Sequence, residues 1–364
     1  MRKIAIALIC LLVTGCSPKV GPRNVQDDSV VYNEAVKRGL DRQLLMNIVR
    51  LRYRDTPTFL EVGVVSASYD FKRSLASQFE TGTKDITSVG WKPSIGVDYS
   101  EKPTTTYQPL QGKGYVDRML SPVRFDTFLL LNSSGWNTSR LMRCCVQRMN
   151  NVKNAPNASG PTPPVPPVYE EFLELADLFH QLDIADAVHF FKKQDKDSDK
   201  PYYMLAVDPN VADLNVMNRI WTLLELDYGT YQFYLTRFAG KKHRGNEIMV
   251  QTRSPLSILY FLSHGVNVPM QDEMCGRVTL TIDDNGEVFD WNQVLDNLLN
   301  VQSIPDCGTK YRVCNGIAVR YRGALFYIND SDLGSKSTFS LLSQLMALQT
   351  GCPDLPVLTL PIVQ

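Results

Sequence analysis

From Ser88 to Ser100 the chain alternates without a break: Val89, Trp91, Pro93, Ile95, Val97 and Tyr99 are apolar, and Ser88, Gly90, Lys92, Ser94, Gly96 and Asp98 are small or polar. A period of two sends successive side chains to opposite faces of an extended chain, so the segment is a strand with one apolar and one polar face. Pro93 brings no N–H to a ladder and places that strand at an edge or a bulge. An earlier run, Phe59 to Phe71, is a second strand candidate, and the polar stretch Lys72 to Thr87 joins the two as a loose hairpin. The expectation is a sheet packed against the helix before it. The alternative is that the hairpin enters a membrane as one copy's share of an oligomeric barrel, because two strands cannot close a barrel and at least about eight are usual.

The N-terminus carries an address. Basic Arg2 and Lys3 precede the apolar run Ile4 to Val13, and Thr14-Gly15-Cys16 follows, which is the pattern of a signal peptide. The apolar run is too short for a spanning helix, which needs about 20 residues. Leu12-Val13-Thr14-Gly15-Cys16 resembles the lipobox of bacterial lipoproteins. That resemblance implies cleavage before Cys16, diacylation of its sulfur, acylation of its new amine and, with Ser17 rather than Asp following, sorting to the outer membrane. An ordinary secretory signal with an incidental Cys is disfavoured because the Cys stands at the cleavage point behind Gly15. Several acyl chains, at about 0.8 kcal/mol per buried CH₂, hold a chain firmly in a bilayer.

Composition narrows the rest. Lys+Arg and Asp+Glu balance at 38 each in 364 residues, so no basic field attracts nucleic acid, and 44% hydrophobic residues suffice for about two cores. The expected order is a signal peptide over 1–15, a lipid-anchored tether over 16–29, an α+β domain over 30–153, a Pro-rich linker over 154–168 and a second α+β domain over 169–364. The first domain opens on a helix from Val30, with Leu40, Leu44, Leu45, Ile48, Val49 and Leu51 at helical spacing and Ser29 as cap. Arg50, Arg52 and Arg54 suit its negative end. Short helices follow over Gly114–Leu120, Phe125–Leu131 and Thr138–Met149. Six prolines in the linker read as a semi-rigid spacer.

In the second domain, helices are expected from Glu170 and around Val211–Leu226, Pro255–Ser263, Trp291–Leu299 and Ser337–Leu348, the last capped by Ser335 or Ser337. Strands are expected over Tyr202–Val207, Glu247–Thr252, Arg277–Ile282, Ile317–Arg320 and Leu325–Ile328, with turns at Asp284-Asn285-Gly286 and Arg322-Gly323.

Chemistry is sparse. Apart from Cys10 and Cys16, six Cys remain, and an oxidising envelope favours disulfides; Cys307 and Cys314 are the best pair, and closing their small loop is worth about 2 to 3 kcal/mol. Adjacent Cys144 and Cys145 are better suited to other partners or to free thiols. His180, Asp183, Asp186 and His189 recur every third residue, but each step turns about 60° around a helix, so the two His face opposite sides and hold no common ion. Asp195-Lys196-Asp197-Ser198-Asp199 opens like a calcium loop yet lacks its Gly and its bidentate Glu. Gly334-Ser335-Lys336-Ser337-Thr338 lacks the spacing of a phosphate loop and reads as helix capping. Tyr228, Tyr231, Phe233, Tyr234 and Phe238 read as core before they read as a binding surface. No cofactor or metal is expected.

The leading expectation is therefore a non-enzymatic lipoprotein, anchored by acylated Cys16 in the outer membrane, facing the periplasm and docking with protein partners of the envelope. The alternatives are a wall or glycan hydrolase using Glu170, Glu171 and Asp290, or a subunit of an oligomeric pore. Asn47 to Leu60 and Asp330 to Thr338 resemble a family of uncharacterised bacterial lipoproteins, a resemblance that brings no activity or site residue. Replacing Cys16 with Ser is expected to release the chain from the sedimented envelope fraction, while the wild-type mass shows added acyl groups; retention of the variant and an unmodified wild-type mass would contradict the anchor.

Overall fold

The first helix among the described residues is α1 (Pro22–Arg52), and Pro22 suits its first position, which needs neither the N–H that proline lacks nor a φ other than the one its ring imposes. The computed structural model describes residues 22–79, 91–161, 163, 165–194, 201–240, 243–306 and 316–349. Helix therefore replaces the expected tether from Pro22 onward, and Ser29 lies within the helix rather than at its cap. Glu34 with Arg38 and Lys37 with Asp41 pair one turn apart along its exposed part at 2.6 and 2.8 Å, small contributions of a few tenths of a kcal/mol. Over residues 29–52 burial is confined to the C-terminal turns: Leu44, Leu45, Ile48, Val49 and Leu51 are covered, whereas Val30, Val31 and Leu40 are exposed.

By contacts the described chain forms two units: a body of 22–57 and 112–349, and the segment Thr58–Gln111. The body is α+β. After a short helical stretch over Gly112–Tyr115 and Val116–Leu120, near the expected Gly114–Leu120 helix, its main elements are α2 (Phe125–Ser133), α3 (Thr138–Cys145), β3 (Val146–Met149), β4 (Val152–Lys153), α4 (Glu170–Ile184), β5 (Val188–Gln194), β6 (Pro201–Val207), α5 (Leu214–Leu223), β7 (Gln232–Arg237), β8 (Glu247–Thr252) and α6 (Pro255–Ser263). Six strands make one sheet in the order β4-β3-β8-β7-β6-β5, antiparallel except where β7 meets β8. Phe172, Leu175 and Phe179 of α4 and Met217, Ile220 and Trp221 of α5 share one core with Val146, Met149, Leu205, Phe233 and Ile248 from the sheet.

That shared core corrects the expected domain boundary. β3 and β4, from before the proline-rich segment, pair in the same sheet as β8 from after it, so 154–168 separates no domains. The segment is pinned rather than free. Arg253, fully buried, donates to the carbonyls of Arg143, Cys144, Val146 and Asn154 and to the Ser159 hydroxyl, and its guanidinium lies 4.0 Å from the Phe261 ring centre. Asn154 donates in turn to Arg143 and Val146, and Thr281 to the Pro163 carbonyl. The same cage ends α3 at Cys145 and turns Val146–Met149 into strand, where a helix through Met149 was expected. Cys144 and Cys145 are buried free thiols; burial raises the Cys144 thiol to about 11 and the Cys145 thiol further, Cys144 itself adding to the latter.

A second, three-stranded sheet has the order β10-β11-β9, from β9 (Gln302–Pro305), β10 (Ala318–Tyr321) and β11 (Ala324–Tyr327). Arg322 and Gly323 turn the β10–β11 hairpin with φ of 48° and 79°, the left-handed pair that matches strand twist. Arg277–Ile282, expected as a strand, makes only a bridge between Ile282 and Val288. The last described helix, α7 (Leu333–Gln349), is capped by Asp332, which accepts from the Ser335 N–H at 2.9 Å, and not by Ser335 or Ser337. Gly265 is required by close approach, since a Cβ there would sit 2.2 Å from the Leu299 carbonyl oxygen.

The second unit is a hairpin of β1 (Leu60–Phe79) and β2 (Trp91–Pro109). Lys72 to Phe79, expected as loop, is strand, because the alternation in β2 gives each of these residues a cross-strand partner. Among the described residues both strands are edges, so Pro93 costs no central ladder.

One buried group responds to pH. The His264 ring stacks on Trp291 with centroids 3.9 Å apart; among the described residues neither nitrogen makes a hydrogen bond, although the Ala158 backbone is close enough to favour the protonated form. Burial, with the Arg52 and Arg253 cations nearby, pushes the imidazole down to about 3. The folded body refuses a proton that the unfolded chain accepts near pH 6.5, so stability falls by about 1.4 kcal/mol per pH unit as pH drops below 6.5. In urea titrations at pH 7.5, 6 and 5, His264→Phe is expected to gain on the wild type by that slope; parallel titrations at all three pH values would contradict it.

Candidate functional site: a two-faced hairpin and its root

In an antiparallel pair, residues directly opposite share a face and the faces alternate along the strand. The register of β1 with β2 sorts the hairpin accordingly. One face holds the rows Phe79 with Trp91, Ser77 with Pro93, Leu75 with Ile95, Arg73 with Val97 and Phe71 with Tyr99. The other holds Gln78 with Lys92, Ala76 with Ser94, Ser74 with Gly96 and Lys72 with Asp98. The first face is apolar between two aromatic rows, and its single charge, Arg73, lies one row inside the Phe71 and Tyr99 row. The second is small and polar throughout, with Lys72 and Asp98 directly opposed.

The spacing matters as much as the sorting. Phe71 and Phe79 are eight residues apart, about 27 Å at 3.4 Å per residue, and the apolar band of a transmembrane barrel is about 25 Å tall between its aromatic girdles. The strands exceed that band: 20 and 19 residues extend about 65 Å. Among the described residues, β1 and β2 pair only with each other, so the outer edge of each strand has no ladder within the described chain. No described helix is long and apolar enough to cross a membrane.

Within the body, the residues that follow α1 are held by side-chain bonds. At the end of α1, the Tyr53 hydroxyl donates to Asp272 at 2.5 Å and Arg277 donates to the same carboxylate at 2.6 Å. Asp55 accepts from the Tyr321 hydroxyl and, at 2.8 Å, from Arg322. The Tyr53 ring meets Tyr321 and Phe326 edge to face, with the Arg322 guanidinium 5.0 Å from its centre. Burial and then the Asp272 hydrogen bond push the Tyr53 phenol well above its usual range. Burial alone would raise Asp272, but the bonds from Tyr53 and Arg277 outweigh it and hold the carboxyl low. Arg52 is not merely a cation at a helix end: it is buried and donates to the Thr279 carbonyl at 3.0 Å.

The residues singled out from sequence scatter. Cys16, Cys307 and Cys314 lie outside the described residues, as do Asp195 to Asp199. His180 meets the Asn137 side chain at 2.7 Å, Asp183 accepts from Thr138 at 2.6 Å, Asp186 turns the chain with φ 55° and His189 is on β5; no group of metal-ligating residues forms among the described residues. Glu170 accepts from its neighbour's N–H, Asp290 from Asn292, and both charges raise the buried Tyr169 hydroxyl after burial itself. Phe233 is buried, Tyr228 and Tyr231 pack edge-on to Trp221, and Phe238 lies under Arg148, while Tyr234 is exposed. The segment Asp330 to Thr338 starts α7, and a Cβ on Gly334 would come within 2.9 Å of the Asn297 carbonyl oxygen.

Sequence reading missed the cluster that joins Tyr53 and Asp55 to Asp272, Tyr321 and Arg322, because more than 200 residues separate the first two from the other three and no local signal marks it. No protein-family model, curated protein or solved structure matches the chain. Tyr53→Phe leaves the buried Asp272 carboxylate one donor short and is expected to destabilise the body by about 1.5 to 3 kcal/mol in chemical denaturation; an unchanged midpoint would show that the root does not depend on that bond.

Proposed function

We propose that the chain is an outer-membrane lipoprotein, held by acylated Cys16, whose hairpin contributes two strands to a transmembrane β-barrel built by several copies, with the body on the periplasmic side. The observation that carries this reading is the register of β1 with β2, which sets two aromatic rows one bilayer-band apart on a single apolar face and gives the opposite face to small polar residues. Lipid contacts the first face and water the second. Hydrocarbon offers no hydrogen bonds, so the outer edges of the hairpin need strand partners, and copies arranged in a closed ring supply them. At two strands per copy, four or more copies reach the usual minimum of about eight strands. Arg73 lies near one aromatic row, where a cation on the lipid face costs about 0 to 1 kcal/mol rather than the about 2 to 4 kcal/mol of the midplane.

This reading contains the docking role expected from sequence, because the partners are copies of the chain. It also moves the pore ahead of the scaffold. The hydrolase alternative draws no support from Glu170, Glu171 and Asp290, since Asp290 holds a turn and Glu171 faces the Arg219 charge while Glu170 faces Tyr169.

A pair of substitutions in adjacent rows tests the reading in planar bilayers. Ile95→Lys, on the apolar face, adds about 2 to 4 kcal/mol per copy and is expected to abolish insertion and conductance, whereas Ser94→Lys, on the polar face, keeps conductance. A wild type without conductance, or equal behaviour of the two variants, would overturn the assignment.

A further inference from the structure

A polar cleft of about 470 Å³ opens in the body between the turn before α3, the exposed side of α3, α4 and the start of α7. Arg140 and Arg143, three residues apart on α3, contribute its charge, with Trp136, Asn137, His180 and Ser337 around them. Residues at that spacing share a helix face, so two cations stand side by side. Neither makes an ion pair among the described residues. Instead the backbone aims them: Arg140 donates through Nη1 to the carbonyls of Asn297 and Gly334, both at 2.8 Å, and to the Thr338 hydroxyl at 2.5 Å. Arg143 donates through Nη2 to the carbonyls of Val294 and Asp296 at 3.0 and 2.8 Å.

Those bonds use one nitrogen of each guanidinium. The Nε of Arg143 is buried with no partner among the described residues, and an unmade bond from a buried N–H costs about 1 to 3 kcal/mol. The one carboxylate lining the cleft, Asp177, accepts from the Ser139 hydroxyl at 3.0 Å and leaves the cleft with an excess of positive charge. Trp136 is fixed at the rim by its indole bond to Gln344 at 2.9 Å, and His180 by its contact with Asn137. Two preoriented guanidinium groups that make no ion pair among the described residues, with one carboxylate in the lining between them, are suited to an oxyanion, whose oxygens accept several charge-assisted bonds at once.

We propose that this cleft binds a small solute bearing an oxyanion, a phosphate or a carboxylate group, with Arg140 and Arg143 as its charge partners. The site is in the body and is independent of the hairpin and of any pore.

The test uses the full lipidated chain in detergent, with inorganic phosphate and acetate titrated separately at constant ionic strength against chloride, read by thermal melting and indole fluorescence. A saturable rise in melting temperature is expected with at least one of the two anions, and the one that binds more tightly identifies the class. Removing Arg140 also removes three structural bonds, so the variants add charge instead. Asn137→Asp keeps the side-chain oxygen that caps α3 by accepting from the Arg140 N–H, and Ser337→Glu changes the opposite wall; each places a carboxylate in the cleft. Asn137→Asp gives up the amide contact with His180, so each variant is compared with its own melt in chloride; both are expected to melt cooperatively there and to weaken anion binding at least tenfold. No saturable response to either anion, or wild-type affinity in both variants, would overturn the proposal.

Discussion

The body depends on one guanidinium. Arg253 has no carboxylate partner among the described residues, yet it is fully buried, because five oxygens converge on it from the end of α3, the start of β3 and the proline-rich segment. Helix C-termini leave carbonyls without intrahelical donors and carry partial negative charge; Arg253 meets both needs at the end of α3. Burial lowers its affinity for a proton to about 9, still charged at neutral pH, so the cage holds a cation rather than a neutral group. An interaction of this kind joins the chain before residue 154 to the chain beyond residue 168, and one six-stranded sheet is the result.

The hairpin obeys a different constraint. A two-stranded ribbon is marginal in water on its own, and β1 with β2 has no third strand among the described residues. Its outer backbone groups are satisfied by water in an aqueous setting and only by other strands in hydrocarbon. The apolar face, the aromatic rows and the open edges are separate features of one register, and an assembly of copies in a membrane accounts for all three together. The Tyr53 and Asp55 bonds fix the end of α1 where the chain leaves the body for β1, through residues that differ in kind from those of the hairpin itself.

Legibility in the sequence tracks the range of the interactions. The alternation from Ser88 to Ser100 is local, and it announced β2 directly. So did the Arg322-Gly323 turn, whose left-handed φ values are set by two adjacent residues. The second half of β1 was hidden because Lys72 and Arg73 interrupt the pattern, and only pairing with Trp91 to Asp98 reveals it. The end of α3 was hidden for the same reason at longer range, since the residue that stops it lies more than 100 positions away. Prolines in 154–168 suggested a spacer because composition records their stiffness and not whether Ala155, Ala158 and Pro163 are buried, as they are. Of the sites, the arginine cleft was invisible: Arg140 and Arg143 look like an ordinary solvated helix face until the carbonyls of Val294, Asp296, Asn297 and Gly334 are placed around them.

In the proposed assembly the hairpin needs neighbours of its own kind. Native mass spectrometry of the full chain extracted from membranes in mild detergent weighs that need directly. A discrete complex of four or more copies is expected, and it is expected to fall apart when residues 60–109 are replaced by a short Gly/Ser linker. A wild type that flies as a monomer, or an oligomer that survives loss of the hairpin, would contradict it.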